Sequence, residues 1–144
     1  MDFKKNIIQI LGILVFVIFS AGVMGQSLVV IGNEIGMKEM KSSYLKEVYQ
    51  AKYTFWSNKK NIQVALPGTQ SQDAVFVYNT VYGKSIKEVQ KFWLSIVFQG
   101  RSKSPNFFDN PKEMIEFVQR TPGAIGLLKS DDGVPKNLLI KLIP

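Results

Sequence analysis

Residues 62–82 constrain the chain more than any other stretch. Ile62, Val64 and Leu66 alternate as in a short strand. Pro67, Gly68, Thr69, Gln70, Ser71 and Gln72 make a polar turn, and Ala74, Val77, Tyr78 and Val81 then repeat at i, i+3, i+4 and i+7, the period of a helix with one buried face. A strand that passes through a tight turn into a helix belongs in a sheet with helices packed on it. The same junction leaves backbone N–H groups without helical partners at the positive end of the helix dipole, which suits an anion. Thr69 or Ser71 can also act simply as a helix cap, and the local pattern leaves both roles open.

The remaining chain has room for one domain, because its first part reads as a targeting segment. Lys4 and Lys5 precede an apolar run over 10–19, and Ser20, Ala21, Gly22, Val23, Met24 and Gly25 follow. This is the layout of a secretory signal peptide, with Val23 and Gly25 as the small residues before a cut that leaves Gln26 first. The competing reading is a retained anchor, for which the apolar core falls short of the roughly 20 residues that span a bilayer. The expectation is therefore a signal peptide over 1–25 and a domain over 26–144, periplasmic or secreted.

Loss of 1–25 removes Asp2, Lys4 and Lys5 and lowers the net charge from +7 to +6. The chain has no Cys and no His. It must bury its core without disulfides, and nitrogen or sulfur metal sites and His-centred acid–base chemistry are excluded. Asp131 and Asp132 lie side by side before Gly133, as in a turn and not as an opposed catalytic pair. The lysines are interspersed with acids, which argues against a nucleic-acid surface. No catalytic residue, cofactor or metal is expected.

Periodicity orders the rest. Leu28 to Ile31 is a continuous aliphatic run, read as a strand covered on both faces. Ser42 or Ser43 caps a helix with Leu45, Val48 and Tyr49 on its apolar side. Trp56 precedes a polar turn and serves as a core or edge anchor. Gly83 ends the second helix, and Ser85 with Glu88 forms a capping box for a third, whose stripe is Ile86, Val89, Trp93, Ile96 and Val97. After a loop over 101–108, Asn110 and Pro111 start a fourth helix that buries Met114, Phe117 and Val118. Strands follow at 124–128, with Ala and Gly for close backbone approach, and at 138–142. The order is strand, helix, strand, helix, helix, helix, strand, strand.

Several separated pieces then resemble one family. They are Lys52 to Trp56 before a polar turn, the strand end Leu66-Pro67, Tyr82-Gly83-Lys84-Ser85, Trp93, Phe98-Gln99-Gly100-Arg101 with Pro105, and Thr121-Pro122-Gly123-Ala124-Ile125-Gly126. Together they are similar to the substrate-binding proteins of phosphate ABC transporters, which have the type 2 periplasmic-binding-protein fold. The resemblance implies an α/β, three-layer-like sandwich, a mixed sheet with helices packed on it, equivalent to one lobe of such a protein. It also implies a non-enzymatic module that binds phosphate or a related oxyanion and works with a membrane transporter or another envelope protein. Family members have two lobes, whereas 26–144 supplies about half of that. Where the family carries an arginine before its Ser-Gly-Thr turn, this chain has Leu66. An arginine at Leu66 would strengthen binding if that position faces the ligand. The ligand-binding candidates are thus Gly68, Thr69, Gln70, Ser71 and Gln72, with Arg101 or Lys103 supplying charge if their loop folds over the junction. The alternative is a module without ligand that docks on an envelope assembly through Arg101, Lys103, Phe107 and Phe108.

Overall fold

The computed structural model describes residues 26–144, so the expected signal peptide lies outside the described residues. Six strands form one mixed sheet: β1 (Val29–Gly32), β2 (Glu39–Lys41), β3 (Gln63–Pro67), β4 (Asn106–Phe108), β5 (Ala124–Leu128) and β6 (Leu139–Ile143). Their spatial order is β2-β6-β1-β5-β3-β4. β1 is antiparallel to both neighbours, β5 and β6, while β3 runs parallel to β4 and to β5, and β2 parallel to β6.

Alternation along the strands divides the core between the two faces. Val30, Val64, Leu66, Ile125 and Leu127 point to a first face, where they pack against α1 (Ser42–Tyr49), α2 (Ala74–Tyr82) and α3 (Ile86–Phe98). Ile31, Ala65, Ala124 and Leu128 point to the other, covered by α4 (Pro111–Arg120) through Met114, Ile115 and Val118. This is the expected sandwich, with β1 buried on both sides as its aliphatic run requires.

Most elements follow from their sequence signals. Ser85 and Glu88 form the reciprocal capping box of α3, Gly83 ends α2 in the left-handed conformation at φ 61°, and the Asn110 side chain caps α4 with Pro111 at its first position. The Trp56 indole N–H donates to the Gly123 carbonyl at 2.8 Å, which fixes it as a core anchor.

Several boundaries and contacts differ. The N-cap of α1 is Lys41, without a side-chain cap bond, and the Ser42 hydroxyl instead donates to the Ile143 carbonyl at 3.0 Å, tying the helix to β6. The loop expected over 101–108 contains β4, and β2 was not expected at all. Both are three-residue strands at the two edges of the sheet, too short to show an apolar run. Ile115 takes the buried place expected for Phe117, and Val97 is exposed. Close backbone approach occurs at Gly123, where φ is +81° and a Cβ would overlap the Asn61 carbonyl, whereas Gly126 makes room for the Met114 side chain.

Candidate functional site

The C-terminal ends of the parallel strands β3, β4 and β5 lie side by side, the place where α/β sheets usually carry their ligands. Pro67 and Gly68 leave β3 here, Phe108 and Asp109 leave β4, and Leu128 and Lys129 leave β5. The junction singled out in the sequence therefore sits at the middle of this edge.

Its turn is held from three sides. The buried Tyr78 hydroxyl of α2 donates to the Pro67 carbonyl at 2.8 Å, and burial raises the pKa of that hydroxyl. The Gly68 N–H continues the ladder to the Phe108 carbonyl at 2.8 Å. From the β5 side, the Lys129 N–H donates to Asp73 Oδ2 at 3.0 Å, and Lys129 Nζ reaches the Gln72 carbonyl at 3.4 Å. Asp73 is the one buried ionisable side chain of acid or base type among the described residues, and this bond to the main chain is its compensation.

Within the turn the candidates take different parts. The Ser71 N–H closes back on the Gly68 carbonyl at 3.0 Å, and Ser71 Oγ accepts the Asp73 N–H at 3.2 Å, so Ser71 organises the turn before α2; the N-cap is Asp73, and neither Thr69 nor Ser71 caps the helix as the sequence suggested. Thr69 and Gln70 are exposed, as is Gln72. The Gln70 N–H, however, already donates to a carboxylate: Asp109 Oδ1 lies 3.1 Å away. The same oxygen lies against Gly68, where any Cβ would overlap it. Gly68 has no positive φ, so its smallness serves this close approach and not an unusual backbone conformation.

Arg101 is placed elsewhere. Its neighbours Gly100, Ser102 and Lys103 line a depression with Asn61, Ile62 and Gln63, at the N-terminal end of β3, and Arg101 itself faces Lys52, Lys84 and Tyr82. The parallel pairing of β4 with β3 forces this, because the loop must return to the start of β3 before β4 can run beside it. The structure thus brings Gly68, Thr69, Gln70, Ser71 and Gln72 together and leaves Arg101 and Lys103 at the far end of the strand. The cation at the junction is Lys129. Leu66 is fully buried in the core of the first face, so its position does not face the junction.

Asp109, Lys129 and Asp73 were missed by sequence reasoning. The one signal available was positional: residues that directly follow parallel strands share one edge of the sheet.

No family model matches the chain, and no curated protein matches it by sequence. Solved structures match it by fold. A candidate phosphate ABC transporter substrate-binding protein from Clostridium perfringens, with bound phosphate, superposes with a TM-score of 0.60 at 16% identity, over 80% of this chain and 44% of that one. PstS from Borrelia burgdorferi gives 0.59 at 15% identity, over 81% and 47%. An ABC-type phosphate transport receptor from Vibrio cholerae gives 0.50 at 16% identity, over 80% and 45%. At these identities the likeness is one of fold, and it is the fold that the resemblance in the sequence implied. The chain spans less than half the length of each of these proteins.

Proposed function

We propose that this chain is an exported, non-catalytic, single-lobed solute-binding module that takes phosphate or a related oxyanion at the 68–72 junction. The observation that carries this reading is that the junction already accommodates a carboxylate. The bare Cα of Gly68 leaves room for the Asp109 oxygen and the Gln70 N–H donates to it, in the turn that precedes α2 and whose Gln72 carbonyl is reached by Lys129. The likeness to phosphate-transport proteins supports the ligand class. In this reading a solute oxyanion competes with Asp109, and without an arginine its affinity is well below that of two-lobed binders. Export follows cleavage after Gly25, and a membrane transporter or other envelope protein receives the ligand.

The test is a titration of the isotope-labelled protein with phosphate and with sulfate, followed at the amide resonances of Thr69, Gln70 and Ser71. Saturable shifts confined to these residues and Lys129 are expected. Amides that do not move up to high millimolar phosphate would refute the oxyanion site. Mass spectrometry of the exported form, starting at Gln26, checks the processing.

A second reading, an interaction module, is favoured by one surface. Leu94 of α3 and Phe107 of the edge strand β4, 62% and 42% exposed, line a depression of about 330 Å³ together with Trp93, and Phe98, one helical turn from Leu94, is 87% exposed. Apolar side chains so exposed and adjacent mark contact surfaces. Phe108, by contrast, packs on Phe117 at 5.1 Å between ring centroids and is not part of it. Pull-down from envelope extract with Phe98→Ser and Phe107→Ser separates the readings, since these changes leave the junction intact.

A further inference from the structure

Each of the three helices on the first face is followed within three residues by a cation: Lys52 after α1, Lys84 after α2 and Arg101 after α3. Any of them complements the negative end of its own helix. That role does not require them to meet, yet all three line one cavity of about 280 Å³ with Tyr82, Val89 and Phe92.

Their charges are not equally available. Lys52 Nζ is paired with Glu47 Oε1 at 3.2 Å, and Glu47 also accepts the Tyr53 hydroxyl at 3.0 Å. Among the described residues neither Lys84 nor Arg101 forms an ion pair. Glu88, the carboxylate whose field reaches Lys84, is bound to the Ser85 N–H at 2.8 Å in the capping box. Lys84 and Arg101 thus line the cavity without an ion-pair partner among the described residues.

The remaining lining is aromatic and aliphatic. The Tyr82 hydroxyl accepts the Trp93 indole N–H at 2.9 Å and donates to the Tyr49 carbonyl at 2.9 Å. With its polar end so committed, Tyr82 offers a ligand its ring, and the Phe92 ring lies 6.4 Å away at a tilt of 57°. Cations around an apolar lining select a molecule with a charged group and a hydrophobic body, and the volume, just below the roughly 300 to 1,000 Å³ of ligand pockets, limits it to a single ring or short chain.

We propose that this cavity, remote from the 68–72 junction, binds a small organic anion, its carboxylate or phosphate group held by Lys84 and Arg101 and its apolar body resting on Tyr82 and Phe92. Arginine recognises such oxyanions through two parallel N–H donors, and lysine adds charge.

The experiment is an NMR titration of the protein with phenyl phosphate, benzoate and inorganic phosphate, read at the two indole N–H resonances. Trp93 reports through its bond to Tyr82, and Trp56, bonded to Gly123, is the internal control. Phenyl phosphate or benzoate should shift Trp93 saturably and leave Trp56 in place, and inorganic phosphate should need at least about tenfold more ligand for any effect, because it lacks the apolar body. Lys84→Gln and Arg101→Gln should each weaken the organic anion about fivefold to tenfold, with unchanged dispersion showing that both remain folded. Ser71→Ala should leave this site unaltered, which separates its fate from that of the junction. No saturable shift of Trp93, equal potency of inorganic phosphate, or parent-like binding by both charge variants would each overturn the proposal.

Discussion

Asp109 Oδ1 accepts the Gln70 N–H at 3.1 Å, across the gap between the ends of β3 and β4. If a solute oxyanion uses the same donor, the two negative charges compete at short range. At about 4 Å a like-charge contact costs from about 1 kcal/mol in water-like surroundings to about 4 kcal/mol at a protein surface. Asp109 is exposed, which places it near the lower limit. Asp109→Asn should therefore tighten phosphate and sulfate about tenfold in calorimetry, an effect of about 1.4 kcal/mol. Weaker binding by the Asn variant would make the carboxylate a partner of the ligand instead of its competitor.

Ser71 separates binding from folding. Its Oγ accepts the Asp73 N–H at 3.2 Å, and among the described residues its hydroxyl proton has no acceptor, which leaves it able to meet an anion. Ser71→Ala should weaken oxyanion binding by about 1.5 to 3 kcal/mol, the range for a hydrogen bond to a charged group. Stability in urea should fall by about 1 kcal/mol, as for loss of one intramolecular hydrogen bond. Equal losses in both measurements would mean that Ser71 acts only on the turn before α2.

The contrast between Trp93 and Asp109 shows how far the sequence could be read. Trp93 was legible because its neighbours on the stripe, Val89 and Ile96, are on the same helix, so burial followed from local period and the capping box fixed the helix start. Asp109 and Lys129 come to Gly68 only through the parallel pairing of β3 with β4 and β5. Nothing local in the residues near 109 or 129 announces that pairing. Arg101 was misplaced for the same reason: without β4, the loop over 101–108 had no direction, and with it the loop must start at the other end of β3. The edge strands were invisible for a further reason, since β2 owes its place to pairing with β6 on one side alone.

Leu66 tests the placement of the missing arginine. On sequence grounds an arginine there could restore a charged ligand contact, but Leu66 is wholly buried on the first face, opposite to Ala65 on the second. Leu66→Arg should then place an unpaired charge in the core and cost more than about 3 kcal/mol in urea denaturation, with no gain in phosphate affinity. A stable variant with tighter binding would show that β3 can present this position to the junction.

Stability at alkaline pH should report the aromatic cluster beneath the sheet. Tyr49 packs edge-on to Tyr82 at 6.5 Å, and Tyr78 stacks on Tyr82 at 6.0 Å. Burial raises the pKa of all three hydroxyls. Tyr49 is raised further by its two neighbours, and the Trp93 N–H offsets part of the shift at Tyr82. A folded-state pKa above the unfolded value of about 10 means that the contribution to stability is complete below pH 10 and is lost as the pH rises beyond it. Each of the three should then lower the unfolding free energy by up to about 1.4 kcal/mol per pH unit above pH 10. Tyr44 and Tyr53 are the other tyrosines. Tyr53 is held up chiefly by Glu47 and Tyr44 by partial burial, and both are open enough to solvent to ionise in the native protein. Absorbance at 295 nm should thus rise in two stages, the first with native circular dichroism and the second together with unfolding. Ionisation of all five tyrosines while the circular dichroism stays native would show that Tyr49, Tyr78 and Tyr82 are open to water, and with them the face of the sheet on which α1, α2 and α3 pack.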